Sequence, residues 1–508
     1  MKISDLKIVV VGIGLLLLCC RCTSTSKVEA RVLPNVVLIL ADDMGYGEIE
    51  ALDPEQSKIP TPTLNRLASE GMVFTDAHTS SSVCTPSRYT MLTGRYNWRT
   101  RLQSGVVQGG AQPLIAADRM TLGHLFQKQG YNTALVGKWH LEYQYQVPDS
   151  LKAITPKKEA GKFLANVPIG TKIPDGPITR GFNSFYGFHH SRAMSSFVRN
   201  DKITEEIPVV DVLPTLTQEV SRLIDTKAQD AKNGKPFFIY FAQNAPHTPI
   251  VPSKEWVGKT DLGKYGDFVA QTDGSVGKVL EALERNGLSE NPIVIFTSDN
   301  GTSKLANIPE LQSKGHYPSA GLRGSKSDLW DGGHRVPFIV RWPNQVEAHS
   351  QSEQLICLAD LMATFADYFS FEIPEYNAED SKSFLNALFG KSLEYPRNEI
   401  VHHSIEGRFS IRQNEWKLLL APGSGGWSSP KDFEALEASL PEMQLYNLNQ
   451  DLGETTNLVA QYPEKVDALV GILKEYIKNG RSTTGTLLEN DVDIDIWKEE
   501  SNYRKTKP

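Results

Sequence analysis

Cys84 stands in the stretch Ser82-Val83-Cys84-Thr85-Pro86-Ser87-Arg88, which continues Tyr89-Thr90-Met91-Leu92-Thr93-Gly94-Arg95. Proline suits the first position of a helix, where its missing N–H costs nothing. Glycine suits the position just past the last turn. Pro86 and Gly94 therefore bracket a short helix with Cys84 at its entrance, where unpaired N–H groups and the positive dipole end favour an anion. Arg88 lies one turn on and can point back to the same place. The spacing reads as a cysteine aimed at an anionic group; the plain alternative is a cysteine buried in an ordinary turn.

A second group consists of Asp42, Asp43, Asp299 and Asn300. They offer oxygen ligands only, the set that a hard divalent cation such as Ca²⁺ or Mg²⁺ takes, whereas zinc usually takes nitrogen or sulfur as well. Singly, Asp-Asp after a strand reads as a turn or a helix cap. Lys138 and His140 alternate on an extended segment and so point the same way. His247 lies on a stiff loop between Pro246 and Pro249, and Lys326 follows Gly321-Leu322-Arg323-Gly324-Ser325. Each has an ordinary reading too: a strand end in solvent, a turn histidine, a surface lysine.

These residues need elements to hold them. Asn35–Leu40, Thr133–Val136, Pro236–Phe241 and Ile293–Phe296 are continuous apolar runs, as strands buried on both faces should be. Phe338–Val340 is a further strand. Amphipathic helices are expected over Thr63–Glu70, Thr121–Gln129, Leu216–Lys227, Gly266–Arg285 and Glu464–Asn479. Alternating strands and helices indicate an α/β domain around a mostly parallel sheet. Four apolar strands run directly into Asp42/Asp43, Lys138/His140, His247 and Asp299/Asn300. Ligands of open parallel sheets sit beyond the carboxyl ends of the strands, so four segments deliver polar groups to one edge. Residues 144–235 read as a long excursion near the site. From about Tyr395 the texture changes to short alternating strands (His402–Leu420, Leu445–Leu448) and one helix, which indicates a smaller α+β unit.

The order Cys-x-Pro-Ser-Arg followed by Thr-Gly-Arg resembles the signature of the type I, formylglycine-dependent sulfatases. The resemblance implies an alkaline-phosphatase-like α/β fold with its sheet sandwiched by helices, and a smaller C-terminal subdomain. It implies that Cys84 becomes formylglycine, the work of a formylglycine-generating or sulfatase-maturating enzyme. It makes Asp42, Asp43, Asp299 and Asn300, with residue 84, ligands of one Ca²⁺ per chain, and makes Cys84, Arg88, Lys138, His140, His247 and Lys326 the catalytic set. In the implied mechanism the hydrated aldehyde attacks sulfur while Arg88, Lys138, Lys326 and the metal hold the sulfate oxygens. His247, with Lys326, protonates the departing alcohol, and His140 deprotonates the second hydroxyl to release sulfate. Ser191 falls near the family's additional active-site serine. A phosphatase or phosphodiesterase of the same fold favours Ser or Thr nucleophiles and His/Asp-bound transition metals, which Cys84 and the oxygen-only ligands do not match. An inactive glycan-binding lipoprotein has no reason to keep an acid, a base and a nucleophile.

The 508 residues carry a formal net charge of −7 and no block of basic residues, so no nucleic-acid surface is indicated. Lys2 and Lys7 precede the apolar run Ile8–Cys20, too short to span a bilayer but suited to a signal peptide over residues 1–30. Cys19, Cys20 and Cys22 crowd its end and loosely resemble a lipoprotein cleavage site, while Val28-Glu29-Ala30 offers a conventional one. Export to a bacterial periplasm or outer surface follows on either reading, with the membrane involved only through a lipid anchor. The expected division is a catalytic domain over 31–394 and a C-terminal subdomain over 395–508. Cys84 and Cys357 are then the mature chain's cysteines; Cys357, in an apolar helix-like run, is expected in the core, and a disulfide between the two would contradict the nucleophile reading. Substrate contacts are expected from the excursion, from His189, His190, Ser191 and Arg192, from His316 and His334, and from His402 and His403. Such side chains suit sugar hydroxyls. The pattern is similar to secreted bacterial arylsulfatases and N-acetylgalactosamine-6-sulfatase-like enzymes, which implies an exo-acting sulfatase on a sulfated saccharide, with 6-O-sulfated galactose or N-acetylgalactosamine as the first choice.

Overall fold

The computed structural model describes residues 33–147 and 167–498. The expected signal peptide over residues 1–30 and its cysteines lie outside them, as do residues 148–166 of the excursion. Among the described residues no helix is long and apolar enough to cross a membrane. From Pro34 onward the chain forms one compact unit.

The strands up to residue 357 are β1 (Asn35–Asp42), β2 (Met72–Phe74), β3 (Ala77–His78), β4 (Asn132–Lys138), β5 (Ser184–Phe188), β6 (Ser196–Arg199), β7 (Lys202–Glu206), β8 (Phe237–Pro246), β9 (Pro292–Ser298), β10 (Phe338–Arg341), β11 (Ser350–Ser352) and β12 (Ile356–Cys357). Ten of them form one sheet in the order β11-β2-β10-β9-β1-β8-β4-β5-β6-β7. The middle of that sheet, β9-β1-β8-β4-β5, is wholly parallel. β10, β6 and β7 join antiparallel, so the sheet is mixed at its margins. Every residue of β1, β8 and β9 is buried, which is why these strands read as unbroken apolar runs.

Alternate residues of the central strands face two helical layers. Val37, Ile39, Phe241 and Phe296 share a core with the helices Pro62–Ser69, Val212–Lys232 and Gly263–Arg285. On the other face Phe126, from the helix Leu122–Lys128, stacks on Phe238 with ring centroids 4.0 Å apart. Thr121 caps that helix, its hydroxyl accepting from the His124 N–H. The helices thus sandwich the sheet, as expected. Two expectations change. The excursion is more regular than its Pro and Gly content indicates, because β5, β6 and β7 extend the sheet through it. Cys357 lies in strand β12, paired with β3, and the following helix begins only at Asp360.

The later strands β13 (Glu399–His403), β14 (Phe409–Gln413), β15 (Trp416–Leu419) and β16 (Gln444–Asn447) form a separate antiparallel sheet. The helix Pro463–Asn479 places Val466, Leu469 and Leu473 in a core with Ile400, Ile411 and Leu418 of that sheet. Tyr96 and Trp98, just after the helix Cys84–Thr93, and Cys357 of the separate β3/β12 pair enter the same core, so the C-terminal sheet packs against the larger part of the chain as well as following from it.

The register that aligns the strand ends depends on close backbone approach at Gly137, opposite Ala242. Its φ is +114°, and a Cβ there would lie 1.8 Å from the Ala242 carbonyl oxygen. Gly137→Ala is therefore expected to cost about 3 kcal/mol or more by forcing β4 off β8, seen as a lower urea midpoint with the excess loss confined to this position when compared with Gly130→Ala, which has open space.

Candidate active site

The helix Cys84–Thr93 begins two residues earlier than Pro86 indicates, so Pro86 is its third residue. A proline is tolerated there because the first four N–H groups of a helix have no intrahelical partner. Val83 is the extended N-cap, and Gly94, at φ +66°, closes the helix with its N–H bonded to the Thr90 carbonyl. Every residue of this helix is buried. Cys84 and Cys357 are both free, and no disulfide joins them.

The four strand ends meet beside Cys84. Asp42 is the last residue of β1, and Asp43 follows in the left-handed region at φ 68° after a register shift in the strand. Lys138, at the end of β4, lies with Nζ 2.7 Å from Asp42 Oδ2. Arg88 donates from Nε to Asp299 Oδ2 at 2.9 Å and from Nη1 to the Lys138 carbonyl at 3.1 Å. Lys326 Nζ is 2.6 Å from Asp43 Oδ1, which also accepts from Asn300 Nδ2 at 2.8 Å. His247 Nε2 is 3.6 Å from Asp43 Oδ2, while its Nδ1 lies 2.6 Å from the Thr248 carbonyl and so carries the proton. His140, at φ 55°, bonds through Nε2 to the Val107 carbonyl at 3.2 Å, and its buried Nδ1 has no partner.

Burial dominates the electrostatics. It works to raise the Asp42 carboxyl, but the facing charges of Lys138, His247 and Arg88 overcome it and hold Asp42 well below the carboxylate range. Asp299 moves the other way, raised by burial and by the Asp42 charge. Burial and neighbouring Lys138 push His140 well below its usual value, and burial lowers His247 as well. The Cys84 thiol is raised by burial, against the pull of Lys138 and Lys326, and is protonated at neutral pH. A thiol in that state is a poor nucleophile.

The oxygen atoms fit a hard cation. Oxygens of Asp42 and Asp299 lie within 4.8 Å of each other and of Cys84 Sγ, and Asp42, Asp43 and His247 make a second such group. Asn300 Oδ1 is buried without a hydrogen-bond partner, an acceptor aimed at something other than protein. Cys84, His140, His247 and Lys326 line a pocket of about 620 Å³, together with His190, Ser191 and Arg192. His190 is fixed by its own contacts: Nδ1 accepts from the Arg192 N–H at 3.1 Å, Nε2 donates to the Gln108 carbonyl at 2.8 Å, and burial brings its pKa to about 3.

Other histidines singled out in the sequence lie elsewhere. His316 is buried between Glu48 and the Lys58 N–H, and His189 contacts Glu142. His403 is buried against Asn97. His334, expected at the substrate, is fully buried away from the pocket lining. It stacks on His402 with centroids 3.5 Å apart and faces His78 across 3.0 Å. Lys417 of β15 stands 3.3 Å away, paired with Asp331 and Glu454. The cause is topological: Asp331–Gly333 forms a turn under the C-terminal sheet, which turns His334 toward β13.

Several lining residues carry no sequence signal of their own. Val106, Val107 and Gln108 lie beside the Gly109-Gly110 pair, whose N–H of Gly109 is held by Glu142. Trp427 follows a Gly-Ser-Gly-Gly run. The run before Trp427 is the available sign that a loop approaches another backbone closely, as Gly423 does at Pro430 and Gly426 does at Ser327.

Cations grouped around a buried cysteine, with an unpartnered histidine nitrogen at hand, form a site suited to an anionic ester. The relatives define which one. The family model described as Sulfatase matches residues 34–371, and the chain belongs to that family: it is a sulfuric ester hydrolase. It is 28% identical to an N-acetylgalactosamine-6-O-sulfatase of Bacteroides thetaiotaomicron, over 93% of this chain and 99% of that one. It is 32% identical to the mouse N-acetylgalactosamine-6-sulfatase, over 78% of this chain and 73% of that one. A solved structure from work on glycosaminoglycan metabolism in B. thetaiotaomicron superposes with a TM-score of 0.74 at 26% identity, covering 87% of this chain and 99% of the other. The architecture is accordingly the sulfatase, alkaline-phosphatase-like fold.

The buried histidine cluster under the C-terminal sheet generates a stability prediction. Burial holds His78, His334 and His402 below 6.5 in the folded state. The unfolded chain takes up their protons near 6.5, so it binds more protons below that pH and stability falls. Thermal unfolding followed from pH 7.5 to 5 should show a falling Tm, and His402→Gln should make the fall shallower. An unchanged slope in that variant would show that these histidines do not carry it.

Proposed function

We propose that this chain removes sulfate from a terminal sugar residue, with N-acetylgalactosamine 6-sulfate or galactose 6-sulfate as substrate. The observation that carries this reading is the convergence of Cys84, Arg88, Lys138, His140, His247 and Lys326 with four oxygen ligands, in a chain whose near full-length relative is an N-acetylgalactosamine-6-O-sulfatase. Residue 84 is read as formylglycine, installed by a maturating enzyme, and one Ca²⁺ as held by Asp42, Asp43, Asp299 and Asn300 with residue 84. The hydrated aldehyde supplies one hydroxyl to attack sulfur and a second to release sulfate. A bound ion would neutralise carboxylates that otherwise repel one another and would supply Lewis-acid polarisation to the ester.

The chain's own residues do the rest. Arg88, Lys138 and Lys326 are buried cations that balance the sulfate charge, where low dielectric strengthens them. Lys326 stays protonated, since Asp43 and the neighbouring acids outweigh the burial that works to lower it. His247 keeps one proton on Nδ1 through Thr248 and, when cationic, gives the Nε2 proton to the departing alcohol. His140 holds an unpartnered Nδ1 and, being neutral, accepts a proton. His190, Ser191 and Arg192 are read as substrate contacts, residues 31–394 as the catalytic domain and 395–508 as its C-terminal subdomain. Residues 1–30 are read as an export signal, which puts the enzyme in the periplasm or at the outer surface.

The deciding experiment pairs the mass of the peptide containing residue 84 with a panel of sulfated mono- and disaccharides beside an aryl sulfate. The aldehyde or its hydrate is expected in active protein, with kcat/KM highest for a 6-sulfated galacto sugar. An active enzyme retaining the thiol would refute the chemistry, and turnover of aryl sulfate alone would refute the sugar. Asp43→Ala should lose turnover by on the order of 10²-fold or more in protein that still folds, at a lower Tm because Lys326 loses its partner, and elemental analysis should find calcium in the parent chain; stoichiometric zinc would count against the assignment. Activity needs neutral His140 and cationic His247, and both titrate below 6.5. The pH optimum is therefore expected on the acid side of neutrality, with His247→Gln removing the alkaline limb and leaving a lower, flatter profile.

A further inference from the structure

The outer wall of the pocket is apolar and comes in part from the C-terminal region. Trp427 and Ile405 line it there, together with Val106, Gln108 and Leu305, and the Ile405 carbonyl accepts from the Gly105 N–H at 2.6 Å. Two bonds hold the Trp427 backbone: its N–H donates to Ser327 Oγ at 3.0 Å and to Asp328 Oδ1 at 2.9 Å. Asp328 also accepts from the N–H groups of Ser428 and Ser325 at 3.1 and 2.9 Å. One buried carboxylate thus binds the loop carrying Trp427 to the loop carrying Lys326. The approach is close enough that a Cβ at Gly426 would lie 2.3 Å from the Ser327 carbonyl oxygen. The Ile405 N–H bonds to that same carbonyl at 3.2 Å. On the indole, one face takes the Lys304 ammonium, 5.0 Å from the ring centroid.

A partly exposed indole, whose backbone is tied to the loop that carries Lys326, is a place for an apolar surface of the substrate. A galacto-configured pyranose has one: with its 4-hydroxyl axial, the C–H groups at C3, C4 and C5 lie together on one face. We infer that Trp427, in an apolar lining it shares with Ile405 and Leu305, is the platform on which the C–H face of the sulfated sugar ring lies. This rests on the sugar-sulfatase reading and adds to it a specificity-determining residue that lies outside the sulfate-handling group. The sulfate end and the sugar end of the site then belong to different parts of the chain, joined at Asp328.

The test separates the two ends. In Trp427→Ala, kcat/KM for N-acetylgalactosamine 6-sulfate should fall about 30-fold, mostly through KM. Trp427→Phe should keep the rate within about 5-fold, because an aromatic face remains. The inhibition constant of inorganic sulfate, which reaches only the deep end, should stay within about 2-fold in both. A sulfate constant that weakens in parallel with the sugar rate would overturn the platform and leave Trp427 as a support for Lys326. So would a sugar rate within about 3-fold of the parent in Trp427→Ala. Should that variant fail to fold, the parent chain labelled with 5-fluorotryptophan answers the question. The resonance absent from Trp427→Phe should shift on adding N-acetylgalactosamine and stay in place with sulfate; no shift with the sugar refutes the proposal. A parent enzyme that cleaves aryl sulfate and no sugar sulfate would remove the sugar reading itself, and this inference with it.

Discussion

Three carboxylates and three basic side chains share the buried edge of the sheet, and the rest of the structure follows from keeping them there. Asp42 faces Lys138, Asp43 faces Lys326 and Asp299 faces Arg88, each pair within 2.9 Å. Removing one member of a buried pair costs about 3–5 kcal/mol because the other charge is left uncompensated. Such a group persists only where several segments arrive in register. Parallel strands β9, β1, β8 and β4 supply that, and parallel sheets need cover on both faces. The two helical layers are therefore part of what holds the site, although none of the three helices on one face, Pro62–Ser69, Val212–Lys232 and Gly263–Arg285, lines its pocket.

The same logic explains the helix Cys84–Thr93. It is enclosed on every side, which a helix carrying a basic residue at Arg88 can bear only because Asp299 and the Lys138 carbonyl receive the guanidinium. Here the site stabilises the element that carries it. The left-handed backbone of Asp43 and of His140 belongs to this pattern: each departs from the strand just where its side chain must leave the sheet edge.

Much of this could be read from the residues. Unbroken apolar runs ending in Asp42, Lys138, His247 and Asp299 located the strands and their common edge, since a doubly buried strand has no polar alternation to confuse. The helices were legible from their 3.6-residue period, with ends displaced by a few residues. Three things were not. Strands β5 to β7 are five residues or fewer, with β7 alternating and half exposed, so each is too short for its periodicity to stand out among the surrounding Gly and Pro. His334 carries the same composition cues as His190, and only the turn at Asp331–Gly333 sends one to the C-terminal sheet and the other to the pocket. Trp427 had no local pattern to mark it, because its place is set by Asp328, 99 residues earlier.

The central strand of the sheet is also the first to be synthesised. β1 pairs with β8 and β9, whose partner residues lie roughly 200 and 260 positions further along. It cannot find its neighbours until most of the chain exists, and loop closure over such spans is slow. Until then the segment around Cys84 is not enclosed. In the finished fold Cys84 is 3% exposed, at the bottom of the pocket on a helix buried throughout. Any enzyme that alters that side chain by gripping the surrounding peptide must therefore act early, in the interval between the emergence of residue 95 and the arrival of β9. The topology acts as a clock: the delay that makes the fold slow to complete is the period during which this enclosed cysteine can still be reached.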